Sequence, residues 1–303
     1  MAVPVSSTEA TGEAPASDPV SRPLDGPPVS YDTQLERVEI ELLLEGVYRH
    51  YGYDFRAYAY ASIRRRLWKR IAAEGLHSIS ELQAVVLHTA DAMDRLLLDL
   101  SVSVTSMFRD PGFYLVFRQD VVPMLRTYPF IRVWHAGCST GEEVYSTAIV
   151  LEEEDLLDRT RIYATDINDA VLKRARDGIF PLNRMQEYTE NYIRAGGRRS
   201  FSEYYTAKYD GALFSPSLTR TVVFSQHNLV TDRSFSEFNV IFCRNVLIYF
   251  DQSLQHRVHT LFYDSMAMFG ILGLGSKETL RASQYEACYQ KLHSREKLYR
   301  KIR

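Results

Sequence analysis

Cysteine is scarce and scattered in this chain: Cys138, Cys243 and Cys288 are odd in number and far apart. That spacing offers neither a disulfide framework nor a zinc site. No run of about 18 apolar residues occurs, which argues against a spanning helix. The N-terminus lacks the basic-then-apolar order of a secretory signal. An excess of charge is missing too. With a formal net charge of −2, no global attraction draws the protein to nucleic acid or to a membrane surface. These absences together predict a reduced, cytoplasmic protein without a structural metal. Large apolar side chains are thin over residues 1–31, where Ala, Pro, Ser, Thr and Gly dominate. Such a stretch buries too little surface to offset its ordering entropy, so a disordered leader is expected there.

Residues 32–102 are rich in helical pattern. Leu35, Val38, Leu42, Leu43 and Val47 recur at helical spacing, and Ile63, Leu67 and Ile71 lie four apart in a second helix over about residues 55–74. Ser78-Ile-Ser-Glu81 has capping-box spacing and starts a third, and Leu96, Leu97, Leu98 and Leu100 belong to a fourth. This part of the chain therefore reads as a small all-α bundle. Arg64, Arg65, Arg66, Lys69 and Arg70 place five cations on the second helix. Either they form a solvated face, or they dock an acidic partner. With no aromatic interleaving or nucleic-acid motif beside them, a protein is the better partner.

The organising stretch begins at Ile131. β-Formers Ile131, Val133 and Trp134 run into Ala136-Gly-Cys-Ser-Thr-Gly-Glu-Glu143, after which Val144, Ala148, Ile149 and Leu151 continue a helix. Strand, glycine loop and helix N-terminus open a nucleotide-binding α/β unit. Gly137 and Gly141 let the backbone pass close to a ligand. A helix N-terminus favours phosphate, but Glu142 and Glu143 would repel one; they suit an ammonium or sulfonium group, or else they merely stabilise the helix start. A second strand, Arg161–Asp166, ends in an acid placed to accept hydrogen bonds from ribose hydroxyls, with Asn168 better placed as the cap of the next helix.

Ahead of the organising strand, Thr105-Ser-Met-Phe-Arg109 forms a linker before a helix opened by Pro111, and its apolar Met107 and Phe108 suggest a linker pressed inward. Beyond the second strand, residues 180–194 read as helical. Residues 196–220 read as an irregular strand-rich insertion with a hairpin turn at Asp210-Gly211. Its Tyr204, Tyr205 and Tyr209 are read equally as a contact surface or a local mini-core. The sheet resumes at Thr221–Ser225, followed by Asn228-Leu229, and Phe238–Cys243 is apolar enough for a central parallel strand. A helix over residues 252–269, a strand near 271–274 and a final pair at 286–290 and 297–302 complete the chain. Ligands in doubly wound sheets bind outside the carboxyl ends of the strands. Gly137, Asp166, Asn228 and Arg244-Asn245 all fall there.

Four motifs in order, Thr105-Ser-Met-Phe-Arg109, Ala136–Glu143, Ala164-Thr-Asp166-Ile and Ile241-Phe-Cys-Arg-Asn-Val-Leu-Ile-Tyr249-Phe, closely resemble the bacterial chemotaxis receptor methyltransferases, the CheR family. The resemblance covers the chain from about residue 35 onward. It implies an α-helical N-domain at 32–102 and, at 103–303, a doubly wound, Rossmann-like domain dependent on S-adenosylmethionine (SAM), with an inserted β-subdomain. The implied activity is methyl transfer to glutamate side chains of chemoreceptors, yielding methyl esters and S-adenosylhomocysteine (SAH) for sensory adaptation. Carried over, Ser103, Thr105, Arg109, Gly137, Glu143, Asp166, Asn228, Leu229, Cys243, Arg244 and Asn245 line the SAM site. Tyr249 sits beside the transferred methyl, and Arg109 lies near the incoming carboxylate. The implied partner is the cytoplasmic helical domain of a chemoreceptor, with neither nucleic acid nor direct membrane insertion involved.

The chain departs from the family pattern at Met107, where the first of two phenylalanines is usual. It also departs at Val144, where proline is common, and at Gly273-Leu-Gly-Ser-Lys-Glu278, which lacks a histidine before serine. The insertion does not match the tether-gripping subdomain of some relatives. Two alternatives stand beside this reading: a methyltransferase with another substrate, although the Asn-Pro-Pro-Tyr run of base-amino methylation is absent, and a SAM- or SAH-sensing module without turnover.

Overall fold

The computed structural model describes residues 1, 32–101, 105–281 and 283–303. The leader beyond Met1 and Ser103 both lie outside the described residues. Asp32 caps the first helix, α1 (Thr33–Tyr51), by accepting the backbone N–H of Gln34 at 2.8 Å, and Gly52 ends it at φ 79°. Three more helices, α2 (Tyr60–Ala73), α3 (Ile79–His88) and α4 (Ala90–Leu100), close a bundle around Leu43, Val47, Leu67, Leu82 and Leu96. The face of α1 differs from the expectation: Leu35, Val38 and Leu42 are exposed, and the buried stripe is Ile40, Leu43, Leu44 and Val47. Two acids rotate it. Glu36 is buried because Arg64 donates to it at 2.9 Å and the Trp68 indole N–H does so as well. Glu39 is buried against the Ser80 hydroxyl. Buried acids are tolerated when paired in this way. At α3, Ser78 accepts the Glu81 N–H at 3.1 Å, but the Glu81 carboxylate reaches His77 instead of completing the box.

Past the linker, Pro111 opens α5 (Pro111–Val116), which widens into a π turn over Phe117–Val121 before α6 (Val122–Leu125). Then come β1 (Ile131–Ala136), α7 (Glu142–Glu153), β2 (Thr160–Asp166) and α8 (Asp169–Asp177), capped by Asn168 as expected. The insertion starts earlier than expected: Phe180 is in strand β3 (Ile179–Pro181), not in a helix, and α9 is only Met185–Arg194. Two further strands, β4 (Tyr205–Lys208) and β5 (Gly211–Phe214), make the Asp210-Gly211 hairpin, and β3, β5 and β4 form a separate antiparallel sheet. Its tyrosines divide. Tyr204 is buried, whereas Tyr209 is exposed at the turn. The main sheet continues through β6 (Val222–Gln226), β7 (Phe238–Cys243), α10 (Gln252–Asp264), β8 (Met266–Leu274), β9 (Tyr289–Lys291) and β10 (Leu298–Lys301). Helix α10 stops five residues short of the expected end because Met266 already pairs with Phe238 in the sheet.

The seven strands lie in the order β6-β2-β1-β7-β8-β10-β9. From β6 to β8 they are parallel, and β10 and β9 add an antiparallel edge. The chain leaves β1 toward β2 and β6, then returns to place β7 on the other side of β1. A crevice must therefore open at the carboxyl ends of β1 and β7. One face of the sheet packs on α5–α7 and the insertion through Phe113, Phe117, Tyr145 and Phe214, and the other packs on α10 through Val258 and Phe262.

The insertion is anchored by ions as well as rings. Arg118 in the π turn donates to Glu153 and to Glu154, and Glu153 also accepts from the Tyr192 and Tyr204 hydroxyls. Both partners are enclosed, with side chains 5% and 1% exposed for Arg118 and Glu153. Arg118→Ala would strand a buried carboxylate, so it should destabilise the fold by about 3–5 kcal/mol, measured as a lowered urea midpoint.

Candidate functional site

The crevice is a cleft of about 980 Å³, counting its open mouth. Ten of the residues singled out in the sequence line it: Thr105, Arg109, Gly137, Glu143, Asp166, Asn228, Leu229, Arg244, Asn245 and Tyr249. Cys243 does not. Its side chain is fully buried in the core cluster behind the sheet, at the last paired position of β7. A strand's alternation turns neighbouring side chains to opposite faces, so Arg244 can face the cleft while Cys243 faces away.

The floor is the loop after β1. Backbone N–H groups of Gly137 and Cys138 both donate to the Thr165 carbonyl at 2.8 Å, tying the loop to the end of β2. Gly137 has φ 80°, and a Cβ there would meet Val246 Cγ2 at 2.6 Å. Gly141, φ 95°, turns the chain into α7. The two acids that open α7 part company. Glu142 is buried beside Thr140, which donates to it at 2.6 Å, and burial pushes its carboxyl above the usual range. Glu143 faces the cleft.

Glu143 is held on both oxygens. His135 Nδ1 lies 3.0 Å from Oε1, and Arg244 Nη1 donates to Oε2 at 2.9 Å. Burial pushes this carboxyl up, but the His135 and Arg244 contacts outweigh it and hold it below its usual range. It is therefore an anion at neutral pH. Asp166 accepts the backbone N–H of Ser139 at 2.9 Å and of Asn168 at 3.0 Å. Burial raises its pKa, against the opposing pull of those N–H groups. Two half-buried carboxylates at opposite flanks of a glycine loop suit an ammonium on one side and hydroxyl donors on the other.

Asn228 shapes the β6 end: its side chain accepts the Val230 N–H at 2.9 Å, and its own N–H donates to Asp232 at 2.8 Å. Across the cleft the linker is pressed inward as expected, with Met107 and Phe108 fully buried and the Phe108 N–H on Ser146 Oγ at 2.9 Å. Phe108 and Asp110 take left-handed backbone angles of 50° and 56°, which turns Arg109 toward the cleft between them.

Several cleft residues were not foreseen. Tyr58, Leu100 and Ser101 come from the helical bundle. The bundle reaches the Tyr249 segment through backbone bonds, Ala59 N–H to the Tyr249 carbonyl at 2.8 Å and Asp251 N–H to the Ala57 carbonyl at 2.9 Å. Glu278, just after β8, holds that same loop by accepting four backbone N–H groups, from Asn245, Val246, Leu247 and Gly275. His135 gave no signal beyond lying in a strand.

The basic set on α2 is not one solvent-facing patch. Arg64 pairs with Glu36, Arg70 with Asp99 and Glu74, and Lys69 reaches Asp99 at 3.2 Å. Arg65 is exposed. Arg66 is buried, with its guanidinium over the Tyr249 ring at 4.6 Å.

Gly137→Ala combines a strained φ with a clash on Val246. It should cost about 1–3 kcal/mol; adding Val246→Ala should recover the steric part and leave the strain, a split that thermal melts of the three variants would read.

Known protein families match both parts of the chain. Residues 103–297 match the family described as CheR methyltransferase, SAM binding domain, and residues 38–101 match CheR methyltransferase, all-alpha domain. The chain is 50% identical over 264 residues to a putative methyltransferase, Cher3, of Pseudomonas putida, covering 87% of this chain and 97% of that protein. It is 30% identical over 236 residues to a chemotaxis protein methyltransferase of Listeria innocua, covering 77% of this chain and 87% of that one. A chemotaxis protein methyltransferase of Salmonella typhimurium is 27% identical over 240 residues, with 77% and 80% covered. With both of its family domains matched in order, this chain belongs to the CheR methyltransferase family.

Proposed function

We propose that this SAM-dependent methyltransferase methylates glutamate side chains on the cytoplasmic helical domain of chemoreceptors. Glu143, Asp166, Arg109 and Tyr249 line a single cleft, and that observation carries the reading. Relatives named as chemotaxis protein methyltransferases support the setting. No helix among the described residues is long and apolar enough to cross a membrane. The proposed place of action is the cytoplasm, where that receptor domain lies.

The residues present fit the donor. Glu143 would hold the methionine ammonium and Asp166 the ribose hydroxyls, with the Gly137 backbone lining the cleft between them. Thr105, Asn228, Leu229 and Asn245 would complete the walls, and Ser103 is assigned there by its place in the motif alone. When bound, SAM supplies a sulfonium methyl whose bonding electron pair stays on sulfur, leaving SAH. A free glutamate side chain titrates near about pH 4.3, so the substrate is already an anion and needs no general base. Its oxygen would take that methyl as the carbon–sulfur bond breaks, and opposite charges would be neutralised. The protein's task is then alignment in a cleft that excludes water, and orientation of this kind supplies roughly 7–11 kcal/mol. Arg109 would orient the incoming carboxylate by charge-assisted hydrogen bonds, and Tyr249 would wall the methyl path, its ring backed by Arg66. Docking on the receptor would use Arg65 and Lys69, the exposed members of the α2 set, with Arg64 and Arg70 half-buried beside them.

Two measurements test this. Radiolabelled SAM offered with receptor fragments and with RNA should label only the fragments, as base-labile methyl esters; label on RNA, or none on glutamate, would reject the substrate. Arg109→Ala should lose at least about 100-fold in methylation, well beyond any loss of SAH affinity, whereas Asp166→Ala should lose SAH affinity by roughly tenfold or more in calorimetry. Undiminished binding by Asp166→Ala would remove the ribose assignment.

A further inference from the structure

His135 is completely enclosed in β1, its ring 5.1 Å from that of Phe242. It is not among the family residues carried over to the site, and its side chain does not line the cleft. Its Nδ1 nevertheless lies 3.0 Å from Glu143 Oε1, while Nε2 is buried without a hydrogen-bond partner among the described residues. An ionised carboxylate is an acceptor only, so the hydrogen between these groups must sit on Nδ1. The opposite oxygen of Glu143 is occupied by Arg244 Nη1 at 2.9 Å. A glutamate has three side-chain torsions to order, and clamping both oxygens before a ligand arrives removes that ordering cost from binding. Each oxygen keeps a lone pair for an incoming ammonium.

We propose that His135 is a positioning residue for cofactor binding: its Nδ1–H fixes the Glu143 carboxylate in the orientation that receives the methionine ammonium. The proposal rests on the reading of the cleft as a SAM site. It does not require His135 to touch the cofactor or to change its protonation.

The geometry gives an atom-specific test. Asparagine carries its amide nitrogen as many bonds from Cα as His135 Nδ1, and glutamine carries it one bond further, near the place of Nε2. Calorimetric titration of the full chain with SAH should therefore show His135→Asn within about threefold of the parent, and His135→Gln weaker by roughly tenfold to a hundredfold. Equal affinities for the two variants, with matching thermal melts, would overturn the proposal. Should either variant fail to fold, the parent still decides. Nitrogen-15 NMR of histidine-labelled protein should show His135 Nδ1 protonated, and a ring protonated only at Nε2 would overturn the proposal. A parent that binds no SAH would instead count against the cofactor reading, while the tautomer would still report on the clamp.

Discussion

The cleft depends on keeping one guanidinium out of water and paired. Arg244 stands at the end of β7 with its side chain 2% exposed. It donates to Glu143 on α7, and to Asp110 and the Arg109 carbonyl in the linker, and it lies over the face of Phe113 at 4.1 Å. Sheet, helix and linker thus meet on one planar fork, whose geometry suits two carboxylates and a carbonyl better than an ammonium would. Burying this charge is unfavourable by itself. Its retention is understandable because each partner belongs to a segment that borders the cleft: the acid that opens α7, and the turn that carries Arg109.

Much of this was legible in the sequence, for identifiable reasons. The apolar run of Phe238–Cys243 and the glycine loop after β1 report backbone needs that few other residue choices meet, so the sheet and its switch point could be read directly. Asp166 and Glu143 could be placed at the cleft because strand ends and helix starts fix position. The failures share a different cause. Leu35, Val38 and Leu42 look like a core stripe, yet Glu36 and Glu39 take the inward places through partners 28 or more residues away and leave those three exposed. Cys243 and Arg244 are adjacent in the motif, but strand alternation sends only one to the cleft. Long-range pairing leaves no periodic trace. The same is true of His135 and Glu278, whose roles exist only once another segment arrives.

The α2 cations show how charge in a sequence differs from charge on a surface. Five basic residues suggested one face, but Glu36, Asp99 and Glu74 neutralise most of it within the bundle. Arg66 points the other way, into the boundary with the methyltransferase domain, and rests on Tyr249. Its Nη2 has no partner among the described residues, and burial lowers its pKa. A cation over an aromatic face in a desolvated place is worth more than the same contact in water.

The backbone bonds between residues 57–59 and the Tyr249–Asp251 segment carry one more implication. These bonds lace the helical bundle to the loop that carries Tyr249, so the proposed receptor-facing module and the cleft share a boundary. Were occupancy at one place to change affinity at the other through that boundary, thermodynamic reciprocity would make the coupling equal in both directions.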